Sequence, residues 1–442
     1  MRTRLVMVMV TLALVGCSAS AAAPPAPVAT ASSAAALPGL TPPLGIPSGL
    51  HPIQTCVLPS GIRCHSLIMA GPQPAAGPAG FTSPIGFAPA DLASAYGLTP
   101  YLASGGAGQT VGIVTVFDDP NLETDLNHYR TAFGLPACTT ASGCLKKVDE
   151  LGQPETAIPA AAGSAPDLNF GALASVIEEL SLDVDMVSAA CPKCHILVVE
   201  AYALDQVPVT SITDVIAGVT FMDLARAANT ASRLGAQVVS TSYGGLDGAT
   251  MLQPVEDLLY KTPGTIQLAS TGDSGYGTEY PAASPNVIAV GGTTLSRNGL
   301  TPRHWDETAW SGAGSGCSLS EPKPAWQRDP LCPNRAVADI SAVADPATGV
   351  AVYDTYGSKN GAGWFIIGGT SASSPLVAGI IALAGNATSM GIGAQYLYAH
   401  PTAFHDIQGG ATKKGCGDYT CRGDVAFDGP TGLGTPNGIG GL

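Results

Sequence analysis

The sequence predicts an α/β fold built on a mostly parallel sheet with helices on both faces. Three observations carry that expectation. From about Gly80 onward, short β-branched runs alternate with longer helical stretches, a pattern that brings successive strands into one parallel sheet covered on both sides. Charged residues are 12% of the 442 and hydrophobic residues 45%, where an ordinary soluble domain carries about 25% charge. Glycine and proline number 55 and 36, roughly one residue in five where average usage gives about one in eight.

The elements follow in chain order. Residues 1–16 read as an export signal, because Arg2 and Arg4 precede an apolar run from Leu5 to Val15 that is too short to span a bilayer. The run ends at Gly16-Cys17, which resembles the box where a bacterial lipoprotein is cleaved and lipidated on its cysteine. Cleavage among the small residues Ala19 to Ala23 is the alternative. Both place the protein outside the cytoplasm, as a cell-surface lipoprotein or a secreted protein of bacterial type, with membrane contact only through a lipid on Cys17. Residues 17–50 are uncharged and rich in Ala, Pro and Ser, a tether that cannot bury a core. Residues 51–79 are a short segment closed by Cys56 and Cys64, and 80–442 form the globular domain. Within it, 110–117, 195–200, 236–240, 265–270 and 287–290 are apolar runs of strand length, separated by helical stretches near 121–133, 173–189, 213–233 and 251–260. Sites in such sheets gather at the carboxyl ends of the strands.

Composition excludes some partners. A net charge of −14 with no Lys/Arg cluster lacks the footprint that nucleic-acid binding requires. Hydropathy is high, yet no stretch after residue 20 runs about 18 apolar residues without interruption. A soluble monomer is expected. Of eleven cysteines, setting aside Cys17 leaves five close pairs: Cys56 with Cys64, Cys138 with Cys144, Cys191 with Cys194, Cys317 with Cys332, and Cys416 with Cys421. In an oxidising compartment these predict five local disulfides.

The clearest chemical motif is Gly368-Gly369-Thr370-Ser371-Ala372-Ser373-Ser374-Pro375, followed by an apolar helical run. It puts Ser371 near a helix N-terminus, where backbone N–H groups can hold a developing oxyanion; on spacing alone, an N-cap of a buried helix explains it equally well. Glu179 and Asp183 stand four apart, so on a helix both carboxylates share one face. Like charges so placed are mildly destabilising. Leu180, Leu182, Val184 and Met186 mark that helix as largely buried. A third segment, Ser270-Thr271-Gly272-Asp273-Ser274-Gly275, follows an apolar strand; by itself it is also a plain turn.

Together these motifs resemble the sedolisins, the serine-carboxyl peptidases of subtilisin-like fold. The nucleophile motif is shared with subtilases, but none of the seven histidines (51, 65, 128, 195, 304, 400 and 405) stands in the His-Gly-Thr setting of a subtilase base. Tyr280-Pro281-Ala282-Ala283-Ser284-Pro285, Glu307-Thr308-Ala309-Trp310 and Ser240-Thr241-Ser242-Tyr243-Gly244 are also similar to family sequence, over about residues 80–442. The resemblance implies an endopeptidase acting on polypeptides. Ser371 would be the nucleophile, Glu179 its base and Asp183 the group that orients Glu179. Asp273 would complete the oxyanion hole, with Ser242, Tyr243 and Gly244 lining the cleft. Glutamate, with an ordinary pKa of about 4.3, remains an ionised base in acid where histidine, at about 6.5, is protonated, so an acidic optimum is expected. Asp118 and Asp119 either extend the carboxylate network or form a turn.

Phe404-His405-Asp406-Ile407 and the segment from Ala426 to Pro436 resemble the family's calcium segment. That implies one Ca2+ held by carboxylates of Asp406 and Asp428 and carbonyls of Ile407, Asp424 and Ala426. Asp424 and Ala426 stand where the family usually has glycine, and Asp424 could supply a third carboxylate; an Asp-rich turn is the other reading. Sedolisins usually carry a large N-terminal prodomain, for which residues 17–79 leave no room. A catalytically weak or inactive binding lipoprotein is therefore the alternative function. A c-type haem protein is a remote third reading, from Cys191-Pro192-Lys193-Cys194-His195.

Overall fold

Val- and Ile-rich runs form the strands and small-residue-rich stretches the helices between them. The computed structural model describes residues 46–71, 80–116, 118–154, 170–201, 218–356 and 363–442, with side chains inside the helix from 170 described from Val176 onward. The signal, Cys17, most of the tether, Phe117 and the 213–217 end of one expected helix lie outside the described residues. In chain order come β1 (His51–Gln54), β2 (Arg63–Cys64), β3 (Leu67–Ala70), α1 (Pro89–Ala95), β4 (Thr110–Thr115), α2 (Leu122–Ala132), β5 (Leu145–Asp149) and α3 (Phe170–Ala190). Next are β6 (His195–Glu200), α4 (Phe221–Arg233), β7 (Val238–Thr241), β8 (Tyr243–Leu246), α5 (Gln253–Tyr260), β9 (Ile266–Ser270), β10 (Glu279–Tyr280), β11 (Ile288–Arg297) and β12 (Trp305–Ala309). The chain ends with β13 (Gly316–Cys317), β14 (Ala336–Val337), β15 (Ile340–Val343), β16 (Val350–Asp354), β17 (Gly363–Gly368), α6 (Thr370–Ala384), α7 (Gln395–Ala399), β18 (Phe404–His405) and β19 (Thr435–Pro436).

The main sheet has the order β12-β11-β9-β7-β4-β6-β5, with β15 also on β11. All neighbours are parallel except the β11–β12 pair. Successive side chains of a strand point to opposite faces, and the core divides accordingly. Val111 and Ile113 of β4 join α1, α3 and α6 residues such as Leu92, Leu180 and Ile380, whereas Val114 joins Leu224 and Ala228 of α4 on the other face. The expected α/β class, with helices on both faces, is the observed one.

Boundaries differ where long-range pairing decides them. The strand expected at 287–290 extends to Arg297 because Thr293 to Arg297 pair antiparallel with β12. Helix α4 starts at Phe221, where Thr220 and Asp223 cap each other reciprocally. No described helix is long and apolar enough to cross a membrane.

The five disulfides are those expected. Cys56 is bonded to Cys64, Cys138 to Cys144, Cys191 to Cys194, Cys317 to Cys332 and Cys416 to Cys421, with Cα–Cα distances from 5.0 to 5.8 Å. Each fastens a turn to the element beside it. Cys144 leads directly into β5 and its carbonyl oxygen accepts from the Ile196 N–H of β6 at 2.7 Å, so its bond to Cys138 ties the preceding loop to the sheet edge. Cys332 is buried, its N–H donating to Asp329 Oδ1 at 2.9 Å, and its bond to Cys317 holds that loop against β13.

Two features position the site. Helices α3 and α6 pack closely because Gly379 has no side chain: a Cβ there would lie 2.7 Å from that of Ala190. The cysteine-closed segment, read from sequence as preceding the domain, is woven into it. Strand β2 pairs with β8, and β3 pairs with β17 in a second sheet of order β1-β3-β17-β16.

Candidate active site

The turn from β17 into α6 is made at Gly369, whose φ of +106° favours glycine. A side chain there would meet the His65 carbonyl oxygen and come 2.5 Å from Asp273 Oδ2. Ser371 is therefore the second residue of α6, where an N–H has no partner within the helix. That N–H donates to the carbonyl oxygen of His65 at 2.8 Å. The Ser371 hydroxyl donates to the Ser242 carbonyl oxygen at 3.2 Å.

Asp273 follows β9 through Thr271 and Gly272. Its Oδ1 accepts from the N–H and hydroxyl of Thr370 at 2.8 and 3.0 Å, and its buried Oδ2 has no hydrogen-bond partner. Burial pushes its pKa up to about 7, although His65 and the bonds from Thr370 work the other way. Below neutrality Asp273 is thus a protonated donor aimed past Gly369.

Helix α3 brings Glu179 and Asp183, both fully buried, to the same place. Glu179 Oε2 accepts from the Ser66 hydroxyl, and Oε1 is left without a partner. Asp183 Oδ1 accepts from the Ser242 hydroxyl at 2.6 Å. Burial raises the pKa of both carboxyls; the charge of Glu179 raises Asp183 further, while the Ser66 hydroxyl and the nearby His65 act to lower that of Glu179. Two buried carboxyls so close cannot both be ionised in mild acid and titrate as a pair sharing a proton.

The expected cleft residues surround this centre. Ser242 is its hub; its carbonyl also accepts from the His65 N–H at 3.1 Å. The Tyr243 hydroxyl meets that of Thr115 at 3.2 Å, and Gly244 leaves room for the His65 imidazole. Both nitrogens of that buried ring are engaged: Nδ1 with Ser270 Oγ at 2.7 Å and Nε2 with Glu279 Oε2 at 2.9 Å. Sequence reading missed His65, Ser66 and Glu279 as parts of the site. Glu279 adjoins the recognisable Tyr280-Pro281 stretch, but His65 and Ser66 carry no signal beyond following Cys64.

The C-terminal segment fits a cation in part. Asp406 and the fully buried Asp428 are near neighbours, accepting from the N–H groups of Ala426 and Asp424 at 2.8 and 3.1 Å. The φ of Ala426 is +65°, the conformation glycine favours. The Asp424 carboxylate is engaged by Arg422 at 3.1 Å and by the Val425 N–H at 2.8 Å. Asp118 pairs with Lys147. Asp119 receives the Asn121 N–H at 2.8 Å, a turn, and lies with Asp125 and Asp354 in a separate buried carboxylate group. Cys191 and Cys194 are bonded to each other, which leaves neither thiol for haem.

A family profile described as the subtilase family matches residues 184–396. Kumamolisin of Bacillus sp. is 29% identical over 81% of this chain and 63% of its own length. Sedolisin of Pseudomonas sp. is 32% identical over 45% of this chain and 39% of its own. The chain thus spans less than two thirds of either curated relative. A structure of Pseudomonas sedolisin complexed with two molecules of pseudo-iodotyrostatin superposes over 81% of this chain and 96% of that one, at 25% identity and a TM-score of 0.58. The parallel sheet and the matched sequence together give this chain a subtilisin-like fold and a likeness to sedolisin and kumamolisin.

Proposed function

We propose that the protein is a serine-carboxyl endopeptidase that cuts polypeptides outside the cytoplasm, in acid, as a monomer. What carries this reading is the convergence of Ser371, Glu179 and Asp273, from three separate segments, on one dipeptide, His65-Ser66, with Ser371 and Asp273 at the His65 carbonyl and Glu179 at the Ser66 hydroxyl. In a bound substrate the Ser371 oxygen attacks the carbonyl carbon while Glu179 takes its proton. Asp183 orients Glu179 and shares that proton. The Ser371 N–H and protonated Asp273 hold the oxyanion, the kind of preorganised stabilisation that supplies most of such a rate enhancement. Glu179 then returns the proton to the leaving amine, and water repeats the sequence on the acyl-enzyme.

Calcium belongs to the same proposal. Asp406 and Asp428, with the carbonyls of Ile407, Asp424 and Ala426, would hold one ion; oxygen ligands suit this hard cation. Bound there, it would neutralise a buried carboxylate and fasten the C-terminal loop. Export by residues 1–16, with lipidation at Cys17, accounts for the disulfides.

Digestion of an unfolded protein between about pH 3 and pH 7 by wild type and Ser371→Ala tests the assignment. Cleavage by wild type alone is expected. Cleavage by both, or by neither, overturns it and, in the second case, favours a peptidase-like binding lipoprotein.

A further inference from the structure

The two oxygens of Asp273 are held unequally by one residue. Oδ1 accepts from the Thr370 N–H at 2.8 Å and from the Thr370 hydroxyl at 3.0 Å, whereas the buried Oδ2 has no hydrogen-bond partner. Thr370 is the first residue of α6, so its N–H has no acceptor within the helix and is available to the carboxyl. A further contact orients the hydroxyl. The Gly272 N–H donates to Thr370 Oγ1 at 3.0 Å; that oxygen thereby accepts, and the single hydroxyl hydrogen is directed to Asp273 Oδ1. Gly272 and Asp273, adjacent in the chain, are thus clamped to α6 through both groups of Thr370.

A protonated carboxyl is no longer symmetric: one oxygen carries the hydrogen and donates, and the other keeps its acceptor capacity. Because Oδ1 already receives two hydrogens, the acid proton belongs on Oδ2. That oxygen also lies on the open side of the turn. A Cβ at Gly369 would come 2.5 Å from it and would meet the His65 carbonyl oxygen, the acceptor of the Ser371 N–H. A proton on Oδ2 therefore faces the place where the Ser371 N–H finds its carbonyl. A proton on Oδ1 would face the two donors of Thr370 instead.

Taking Asp273 as the oxyanion donor proposed above, we infer that Thr370 is a positioning residue for hydrolysis: its N–H and hydroxyl keep the Asp273 proton on Oδ2, turned toward the oxyanion. The same two bonds favour the ionised carboxylate, acting against burial, which raises its pKa. The Thr370 hydroxyl thus narrows the alkaline range of the acid while fixing its proton where it acts. These two consequences have opposite signs, and together they separate positioning from mere support of the turn. Loss of the hydroxyl slows hydrolysis and at the same time carries activity to higher pH. The titratable groups that face Asp273 are His65, Glu279 and Glu179, and a change confined to Thr370 leaves all three in place.

The test is the pH profile of kcat/KM on an unfolded protein for wild type, Thr370→Val, Thr370→Ser and Asp273→Asn, the last with and without Thr370→Val. Thr370→Val keeps the branched shape and removes the hydroxyl. Hydrolysis is expected to slow about fivefold while the alkaline limb moves up by about 0.5 to 1 pH unit, one hydrogen bond's worth in each case. Thr370→Ser is expected to restore both. In Asp273→Asn, which has no proton to place, Thr370→Val should move no limb. For a variant too slow to assay, the infrared carboxyl band of Asp273 in Ser371→Ala, identified by its loss in Asp273→Asn, should titrate higher by the same amount once Thr370→Val is added. Either effect without the other, or a shift that persists in Asp273→Asn, overturns the inference; cleavage by wild type and none by Ser371→Ala then leave the peptidase reading standing. A folded wild type that cleaves nothing at any pH overturns both.

Discussion

The hydroxyl of Ser66 donates to the carboxylate of Glu179, a residue 113 positions away that is proposed above as the base. This bond lowers the pKa of Glu179 against the larger, opposing effect of burial. Removing it in Ser66→Ala raises that pKa, and the pH at which the base becomes ionised moves up. The titration of Glu179, followed by its carboxyl infrared band, is expected to shift upward by about 0.5 to 1 pH unit, the equivalent of one hydrogen bond. An unmoved titration would refute the bond between Ser66 and Glu179.

Asp273 makes a separable prediction. Burial sets its pKa near 7, and only the protonated acid donates, so kcat/KM is expected to fall as pH rises through about 7. Asp273→Ala, which loses the donor, is expected to cost about 10²–10³ in kcat. Asp273→Asn keeps a donor that does not titrate, and its alkaline limb should flatten. Steady-state pH profiles read both effects.

Gly369→Ala tests the turn that builds the proposed oxyanion site. Its φ of +106° strains any side chain by about 1–3 kcal/mol, and the added methyl would press on Asp273 and the carbonyl site. Lower stability in denaturant titration together with nearly complete loss of hydrolysis is expected. A stable, fully active variant would refute this geometry.

The pair of His65 and Glu279 should make a pH-dependent contribution to stability. Burial alone would lower the His65 pKa, but the facing Glu279, Asp273 and Glu179 raise it above 6.5. Its contribution is complete below 6.5 and disappears as pH rises through the raised folded value. Burial alone would raise Glu279, but His65, Arg63 and Lys414 bring it below 4.5. Its contribution is complete above 4.5 and disappears as pH falls through the depressed value. The contribution of this pair, read as the melting difference between Ser371→Ala with and without Glu279→Gln, is therefore expected to be largest between about pH 4.5 and 6.5. Glu279→Gln should flatten both limbs and cost about 3–5 kcal/mol at the maximum, as breaking a buried ion pair does.

For calcium, a chelator is expected to lower the melting temperature, and Asp428→Asn to abolish the response to added Ca2+. A site saturated a hundredfold above its Kd stabilises by about 2.7 kcal/mol. Equal melting with and without chelator would exclude a stabilising ion.

Local spacing made much of this protein legible. Glu179 and Asp183 share a helix face because they are one turn apart, and Ser371 begins a helix because glycine precedes an apolar run. The disulfides, from Cys191 with Cys194 to Cys317 with Cys332, join cysteines 3 to 15 positions apart, so sequence proximity paired them. Strand positions in the main sheet followed from apolar runs. None of that reaches the stretch from Arg63 to Ile68. Strand β2 has two residues, too few for a period, and its partner β8 lies far along the chain. His65 meets Glu279 across 214 positions. The sequence determined which groups could carry the chemistry, since each depends on its near neighbours. Only the tertiary structure decided that the chain's own segment lies across them, because pairing between distant strands and burial of charged partners have no local signature.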